Sequence, residues 1–298
     1  MSARSYLFVP GDNEHKIEKA LRSAADALIF DLEDSVLPER TAVARGLVRR
    51  VLKDNASPRA PELWVRINAL STSNAVPDVE AVVCVGLHGI VVPKVESADD
   101  VKALDRILTA LETTRGFATG AVRVLAIVLE SPKALFTLGG YAGASPRLSA
   151  MTWGAEDLSV ALGASVNRDE NGELSFTYRM ARSLCLFAAK TAGAAAVETA
   201  WPDFRDVAGL EKSAVASRRE GFTGMIAVHP DQVPVINAAF TPRDEEIAHA
   251  HRVVDAFAAK PGAGTVGLDG RMLDTPHLKQ AQAVLAAALA SSKRRNDS

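Results

Sequence analysis

Hydrophobic positions along this chain fall into a repeating unit: a short apolar run that stops abruptly at polar residues, then an amphipathic stretch. Eight runs follow one another: SYLFVPG from Ser5, ALIFDLED from Ala27, LWVRIN from Leu63, GIVVPKVES from Gly89, RVLAIVLES from Arg123, LSAMTWGAED from Leu148, AAAVETAW from Ala194 and GMIAVHP from Gly224. Each is nearly all apolar rather than alternating, the pattern of parallel strands covered on both faces. Helix-like stretches lie between several of them, such as HKIEKALRSA after the first and SADDVKALDRILTALE after the fourth. In the second of these Ser97 is placed to cap, with Asp99 and Asp100 in the first turn. Eight such units predict an α/β fold, a (β/α)8 TIM barrel; a doubly wound sheet is the alternative. The count of eight, and the polar residues that end most runs, favour the barrel.

The pattern changes after Phe240, so the chain is expected to divide into a barrel domain, 1–239, and a C-terminal extension, 240–298. PRDEEIAHAHRVVDAFAAK reads as a helix, TVGLDGRMLDTP as a short extended or turning segment, and HLKQAQAVLAAALAS as a second helix. The polar end SSKRRNDS is expected to fray. Too small to stand alone, the extension must pack on its own barrel or on a neighbouring subunit.

Composition adds mainly exclusions. With 298 residues and 48% hydrophobic content the chain can bury a substantial core. Lys plus Arg total 34 and Asp plus Glu 36, a net charge of −2, which gives no electrostatic reason for a nucleic-acid or anionic-membrane partner. Cys84 and Cys185 sit in apolar surroundings and read as buried thiols in a reducing compartment. Neither a secretory h-region nor an apolar run of about 18 residues occurs, so a soluble, cytoplasmic protein is expected.

In a barrel the C-terminal strand ends converge on one mouth. The runs place there Asp31, Glu33, Asp34, Arg66, Asn68, Lys94, Glu96, Glu130, Glu156, Asp157, Glu198 and His229. Carboxylates outnumber bases, and such a cluster needs a cation, Arg or Lys, or protons to neutralise it. Oxygen ligands without Cys pairs or closely spaced His favour Mg2+ over Zn2+; structural ion pairs at strand ends are the competing explanation.

The string SYLFVPGDNEHKIEKA…ADALIFDLEDSV, followed by VRIN, VVPKVES, LESP, WGAEDL, GFTG…VHPDQV and GRMLDTPHLKQAQ, resembles the citrate lyase beta-subunit-like family of the HpcH/HpaI aldolase superfamily. That family includes malyl-CoA and citramalyl-CoA lyases, and the resemblance runs from about Ser5 to Leu285. It implies a TIM barrel, bound Mg2+, a CoA thioester and 2-oxo acid as small-molecule partners, and a homo-oligomer, trimer or hexamer. By the same resemblance Glu130 and Asp157 hold the metal, with Glu130 also meeting substrate, and Arg66 grips the substrate carboxylate, for which a guanidinium fork is suited. A salt bridge from Arg66 to Asp31, Glu33 or Asp34 is its competing role, and both can hold at once. Glu33 and Asp34 hold metal waters or orient Arg66, unless they pair with Arg45, and Lys94 is an ion-pair residue beside them. Phe8, Pro10 and Gly11 of LFVPG and His229 lie against the substrate, and Lys16, Lys19 and Arg22 are weaker candidates for the CoA phosphates. Asp274 of GRMLDTP is implied to be the acid/base at the acyl-CoA α-carbon, reaching a neighbouring protomer's barrel, with a carboxyl pKa raised by desolvation. Its competing role is to cap the next helix, although Thr275 is the better-placed cap.

Three positions depart from the family pattern: Ser131 for threonine, Met225 for lysine, which bears on the nucleotide end of the CoA site, and Glu198 for aspartate. The reaction implied is Mg2+-assisted retro-Claisen cleavage of a 3-hydroxy-3-carboxyacyl-CoA; run backwards with thioester hydrolysis it amounts to malate synthase activity. The rival readings are a citrate lyase beta subunit acting on an acyl-carrier-protein thioester, and a non-catalytic scaffold barrel.

Overall fold

The structure, a computed structural model, describes residues 3–57, 61–170 and 172–297. It divides into two compact units, the first reaching Asn237 and the second starting at Ala238.

In the first unit β1 (Ser5–Pro10) precedes α1 (Glu14–Leu21), β2 (Ala27–Asp31) precedes α2 (Thr41–Asp54), and β3 (Glu62–Arg66) precedes α3 (Ala75–Val82). β4 (Gly89–Val92) leads to α4 (Ala98–Arg115), and β5 (Arg123–Ile127) to the short α5 (Pro132–Leu135). After β6 (Leu148–Thr152) come α6 (Ala155–Leu162) and α7 (Phe176–Thr191), then β7 (Ala195–Glu198), α8 (Val207–Glu220), β8 (Gly224–Ala227) and α9 (Gln232–Ala239). All eight apolar runs are strands. Each pairs in parallel with the next and β8 returns to β1, so the sheet is a closed barrel rather than an open doubly wound sheet.

Closure turns every second strand residue inward. Tyr6, Ala27, Ile29, Trp64, Val91, Leu125, Ile127, Ala150, Val197 and Ile226 form the interior cluster, each large one worth roughly 1.5–3 kcal/mol in burial. The same alternation carries the chain from Ile29 to Asp31 and from Trp64 to Arg66, and these two charged residues stand in register on neighbouring strands. Sequence thus places an acid and a base side by side at the mouth. The fourth helix forms as expected: Ser97 and Asp100 make a capping box, and Gly116 ends the helix in the left-handed conformation.

At the strand starts, opposite the mouth, a second polar cluster is sealed in. Arg147, directly before β6, is 2% exposed and donates to Asp105 (2.5 Å) and to both oxygens of Glu112 (2.7 and 2.6 Å). Glu112 also accepts from the Gly120 and Val122 N–H groups. Burial works against its charge, but the Arg147 fork and these amides hold its carboxyl below the usual range.

The second unit contains α10 (Asp244–Ala258), β9 (Thr265–Leu268), β10 (Arg271–Asp274) and α11 (Thr275–Asp297). The segment expected to be extended or turning is a hairpin, β9 pairing antiparallel with β10. Asp269 (φ 50°) and Gly270 (φ 74°) make its two-residue turn with both residues left-handed, the geometry an Asp-Gly pair favours. Ala250, Val253, Val266, Leu273 and Ala281 form the unit's own small core. α11 continues through the end expected to fray as far as Asp297, and Ser298 lies outside the described residues. No described helix is long and apolar enough to cross a membrane.

Candidate active site

Asp31 is the hub of the mouth. Arg66 donates to it twice, Nε to Oδ1 at 2.6 Å and Nη2 to Oδ2 at 2.7 Å, while the Glu33 and Ser35 N–H groups bond the same oxygens. Burial opposes ionisation of Asp31, but these partners hold its carboxyl below the usual range. The guanidinium expected to grip a substrate therefore spends its fork inside the protein. What remains is Nη1, 3.1 Å from Glu33 Oε2. Beneath the guanidinium lies the Phe8 ring, its centroid 4.8 Å from Cζ, so Phe8 supports Arg66.

Lys94 ties the neighbouring loops together. Its ammonium bonds Glu33 (2.6 Å) and Asp34 (3.1 Å), and those two carboxylates keep it firmly protonated against partial burial. Arg45, the alternative partner for Glu33 and Asp34, instead binds Asp78 and Asn74. Lys94 adopts a left-handed backbone, φ 52°, unusual for a residue with a side chain. Its N–H donates to Glu130 Oε2.

Glu130 lies three residues past the end of β5, 5% exposed. Burial, then repulsion from Asp157 and Glu33, push its carboxyl up to about 8, against the pull of the Lys94 N–H and Arg66. Asp157, expected at a strand end, is in the first turn of α6, where a carboxylate suits the helix dipole. Gly154, just before that helix, was not singled out by pattern; a Cβ there would stand 2.8 Å from Glu130 Cγ.

Several expected residues do other work. The Gly11 N–H bonds the Asp31 carbonyl at 2.8 Å, and a Cβ on Gly11 would stand 2.5 Å from that oxygen, so the close approach of the two strands requires glycine. Pro10 closes β1 half-buried beside it. Lys16, Lys19 and Arg22 are exposed at α1. Asn68 bonds Asp78 and the Leu32 carbonyl, Glu96 pairs with Lys133, and Glu156 accepts from Asn167. Glu198 is buried among Trp153, Arg182 and Ser217. His229 stacks on Phe204 with ring centroids 4.7 Å apart. Ser131 caps α5. Met225 is buried and lines a cavity between α7 and α8, so its place in the fold does not support the expected effect on a nucleotide site.

In the second unit Asp274 immediately precedes α11, the cap position expected of Thr275. Its Oδ1 lies 2.5 Å from His277 Nδ1. The upward pKa shift expected for Asp274 is absent: the side chain is 42% exposed, and the hydrogen bond with His277 lowers its carboxyl.

A divalent cation fits the mouth. Glu130 is buried with a backbone N–H as its hydrogen-bond donor and is repelled by the Asp157 carboxylate, while the neighbouring Glu33 Oε2 has only the ion pair to Arg66 Nη1 at 3.1 Å. Among the described residues no cluster of three or more His, Cys, Asp or Glu forms a complete cage. Two carboxylates with room for water and substrate oxygens suit Mg2+.

Comparison with known proteins agrees with this arrangement. The model of the HpcH/HpaI aldolase/citrate lyase family matches residues 4–230. The chain is 36% identical to the citrate lyase subunit beta of Escherichia coli K12, over 98% of this chain and 95% of that one. It is 32% identical to a (3S)-malyl-CoA thioesterase of Cereibacter sphaeroides, over 96% and 94%. The structure resembles that of CitE from Mycobacterium tuberculosis in complex with magnesium, acetoacetate and coenzyme A (TM-score 0.79, 32% identity, 96% of this chain and 98% of that one). A closed parallel barrel with acids and a buried guanidinium at its mouth, together with matches across nearly the whole chain, places this protein in the HpcH/HpaI aldolase/citrate lyase family.

Proposed function

We propose that the protein is a Mg2+-dependent carbon–carbon lyase that cleaves or forms a 3-hydroxy-3-carboxyacyl-CoA such as malyl-CoA or citramalyl-CoA, interconverting it with an acyl-CoA and a 2-oxo acid. The observation that carries this reading is Glu130, a buried carboxylate repelled by Asp157 and Glu33 with no Lys or Arg side chain hydrogen-bonded to it among the described residues. Glu130 and Asp157 would hold Mg2+, which supplies Lewis acidity and a template for the substrate's carboxylate and hydroxyl.

The chain's own residues prepare the rest. Asp31 fixes the plane of Arg66 and leaves Nη1, which pairs with Glu33 at 3.1 Å, as the donor proposed to meet the substrate carboxylate. Lys94 holds Glu33 and Asp34 in place, which keeps that donor oriented. Cleavage leaves an acyl-CoA enolate whose α-carbon takes up a proton; condensation removes one. Asp274 is the group proposed to exchange it, and His277 keeps it ionised, as condensation requires. Residues 240–298 form the lid in this reading, packing on the barrel or on a neighbouring subunit of a homo-oligomer, trimer or hexamer, in the cytoplasm.

A second reading, the beta subunit of a citrate lyase complex acting on an acyl-carrier-protein thioester, is favoured by the Escherichia coli relative. A panel of CoA thioesters with Mg2+ and detection of the 2-oxo acid separates the two. Release of glyoxylate or pyruvate by the isolated protein supports the first; turnover confined to a carrier-protein thioester with partner subunits supports the second. No turnover in either assay leaves the scaffold reading.

A further inference from the structure

The first unit holds a second cavity, of about 280 Å³, in the groove between α7 and α8 beneath the loop that follows α6. None of Asp31, Glu33, Arg66, Glu130 or Asp157 lines it. Its wall carries four acids, and each is already engaged. Glu198 and Glu220 are held by Arg182, Glu173 by Lys212 at 2.5 Å, and Asp206 accepts from the Gly209 N–H at 2.9 Å as it caps α8.

The groups left over are donors. Arg168 lies half-buried with its Cζ 4.3 Å above the Trp201 ring and gives one N–H to the Gly172 carbonyl. Among the described residues no carboxylate bonds it, and burial lowers its pKa, with Glu156, Glu173 and Glu198 compensating only through space. Trp201 Nε1 is buried and has no acceptor. Arg179 reaches the same cavity, also without a carboxylate partner among the described residues. An orphaned buried N–H costs about 1–3 kcal/mol, so two cations and an indole donor around one cavity call for an acceptor.

We propose that this groove is an anion-binding site, separate from the barrel mouth, for a small metabolite bearing a carboxylate or phosphate group. Arg168, flat on Trp201, presents its edge to the oxyanion; the indole N–H supplies a directional bond, and Arg179 closes the rim. The cavity volume suits a compact ligand of this kind. The site also touches the fold's interior: Glu198, on its wall, accepts from Trp153, the residue before Gly154, which packs against Glu130.

The test titrates the full-length protein with inorganic phosphate and, in parallel, with succinate, reading tryptophan fluorescence and calorimetric heat. Saturable binding of at least one oxyanion is expected, weakened about tenfold or more in Arg168→Gln and in Trp201→Phe, a loss of about 1.4 kcal/mol. Trp201→Phe keeps an aromatic ring under Arg168 while removing the N–H together with the rest of the pyrrole ring. Arg66→Gln, at the mouth, is expected to leave the midpoint unchanged, so the outcome does not depend on the lyase reading. Three results would overturn the proposal. One is no saturation by either anion at about 10 mM. The others, each with native circular dichroism, are wild-type midpoints in both groove variants and loss of binding in Arg66→Gln alone.

Discussion

Gly154 and Glu130 are in contact: the hydrogen of the glycine faces the side chain of the acid, and a methyl group in its place would stand 2.8 Å from Glu130 Cγ and 3.2 Å from Oε1. The backbone at Gly154 is extended, φ −111°, so nothing but this contact requires glycine. Gly154→Ala should therefore leave stability within about 1 kcal/mol of wild type and push Glu130 out of place. Mg2+ affinity is expected to fall by about tenfold or more. Calorimetry with Mg2+ and a thermal melt measure the two effects separately; unchanged affinity would show that Glu130 does not ligate.

Glu130 also sets a pH dependence. Its folded pKa, about 8, lies above the ordinary value near 4.5, so the metal-free native state holds a proton that the unfolded chain has lost. Its contribution to stability thus declines as pH rises from about 4.5 to about 8, by at most about 1.4 kcal/mol per unit. Mg2+ must displace this proton, and apparent affinity should climb with pH up to about 8. Proton release on Mg2+ binding near pH 7, lost in Glu130→Gln, is the check. Chelation should abolish lyase turnover, with Mg2+ or Mn2+ restoring it.

Arg66→Lys keeps a charge and loses the paired hydrogen bonds to Asp31. A buried carboxylate stripped of its fork destabilises by about 3 kcal/mol, and turnover should drop more than tenfold because the remaining donor is no longer oriented. Wild-type kcat/KM in this variant would refute the orienting role.

At the opposite end of the barrel, Arg147→Met strands Glu112 without its counter-charge. A loss of about 3–5 kcal/mol is expected, recovered in large part by adding Glu112→Leu. Activity per folded molecule should not change, since strand starts serve stability. Urea unfolding of the two variants, scored beside specific activity, decides it.

Asp274→Asn should fold and bind metal yet lose both cleavage and exchange of the acyl-CoA α-proton with solvent. Mixed with inactive Glu130→Ala protomers, it should recover activity if the group serves a neighbour's barrel. Substantial turnover by Asp274→Asn alone would exclude the acid/base role.

The barrel was legible because parallel strands covered on both faces leave continuous apolar runs, and all eight were visible. The mouth was legible by residue type but not by partner. Pattern puts Asp31 and Arg66 at neighbouring strand ends and offers Asp31, Glu33 and Asp34 as partners for the guanidinium; the geometry shows that Asp31 takes its fork. The inward alternation of Ala27 and Ile29, extended by one step, is what puts Asp31 at the mouth. Gly154 carries no signal of its own, because its importance lies in a side chain 24 positions earlier. The hairpin before Asp274 was signalled by its Asp-Gly pair, which reads as a two-residue turn once the flanking strands are recognised. The lowered pKa of Asp274 follows from His277, one helical turn on, a pairing that the expectation of a desolvated carboxyl passed over.

Lys94 occupies a left-handed backbone that glycine would adopt at no steric penalty, whereas a residue with a Cβ incurs roughly 1–2 kcal/mol. Selection for durability alone would favour glycine there, and Lys94→Gly would relieve the backbone while deleting the ammonium that neutralises Glu33 and Asp34. On the proposed function, the position is therefore a point where robustness and activity pull in opposite directions. Efforts to make this enzyme more heat-resistant should leave it alone and work on the opposite end of the barrel.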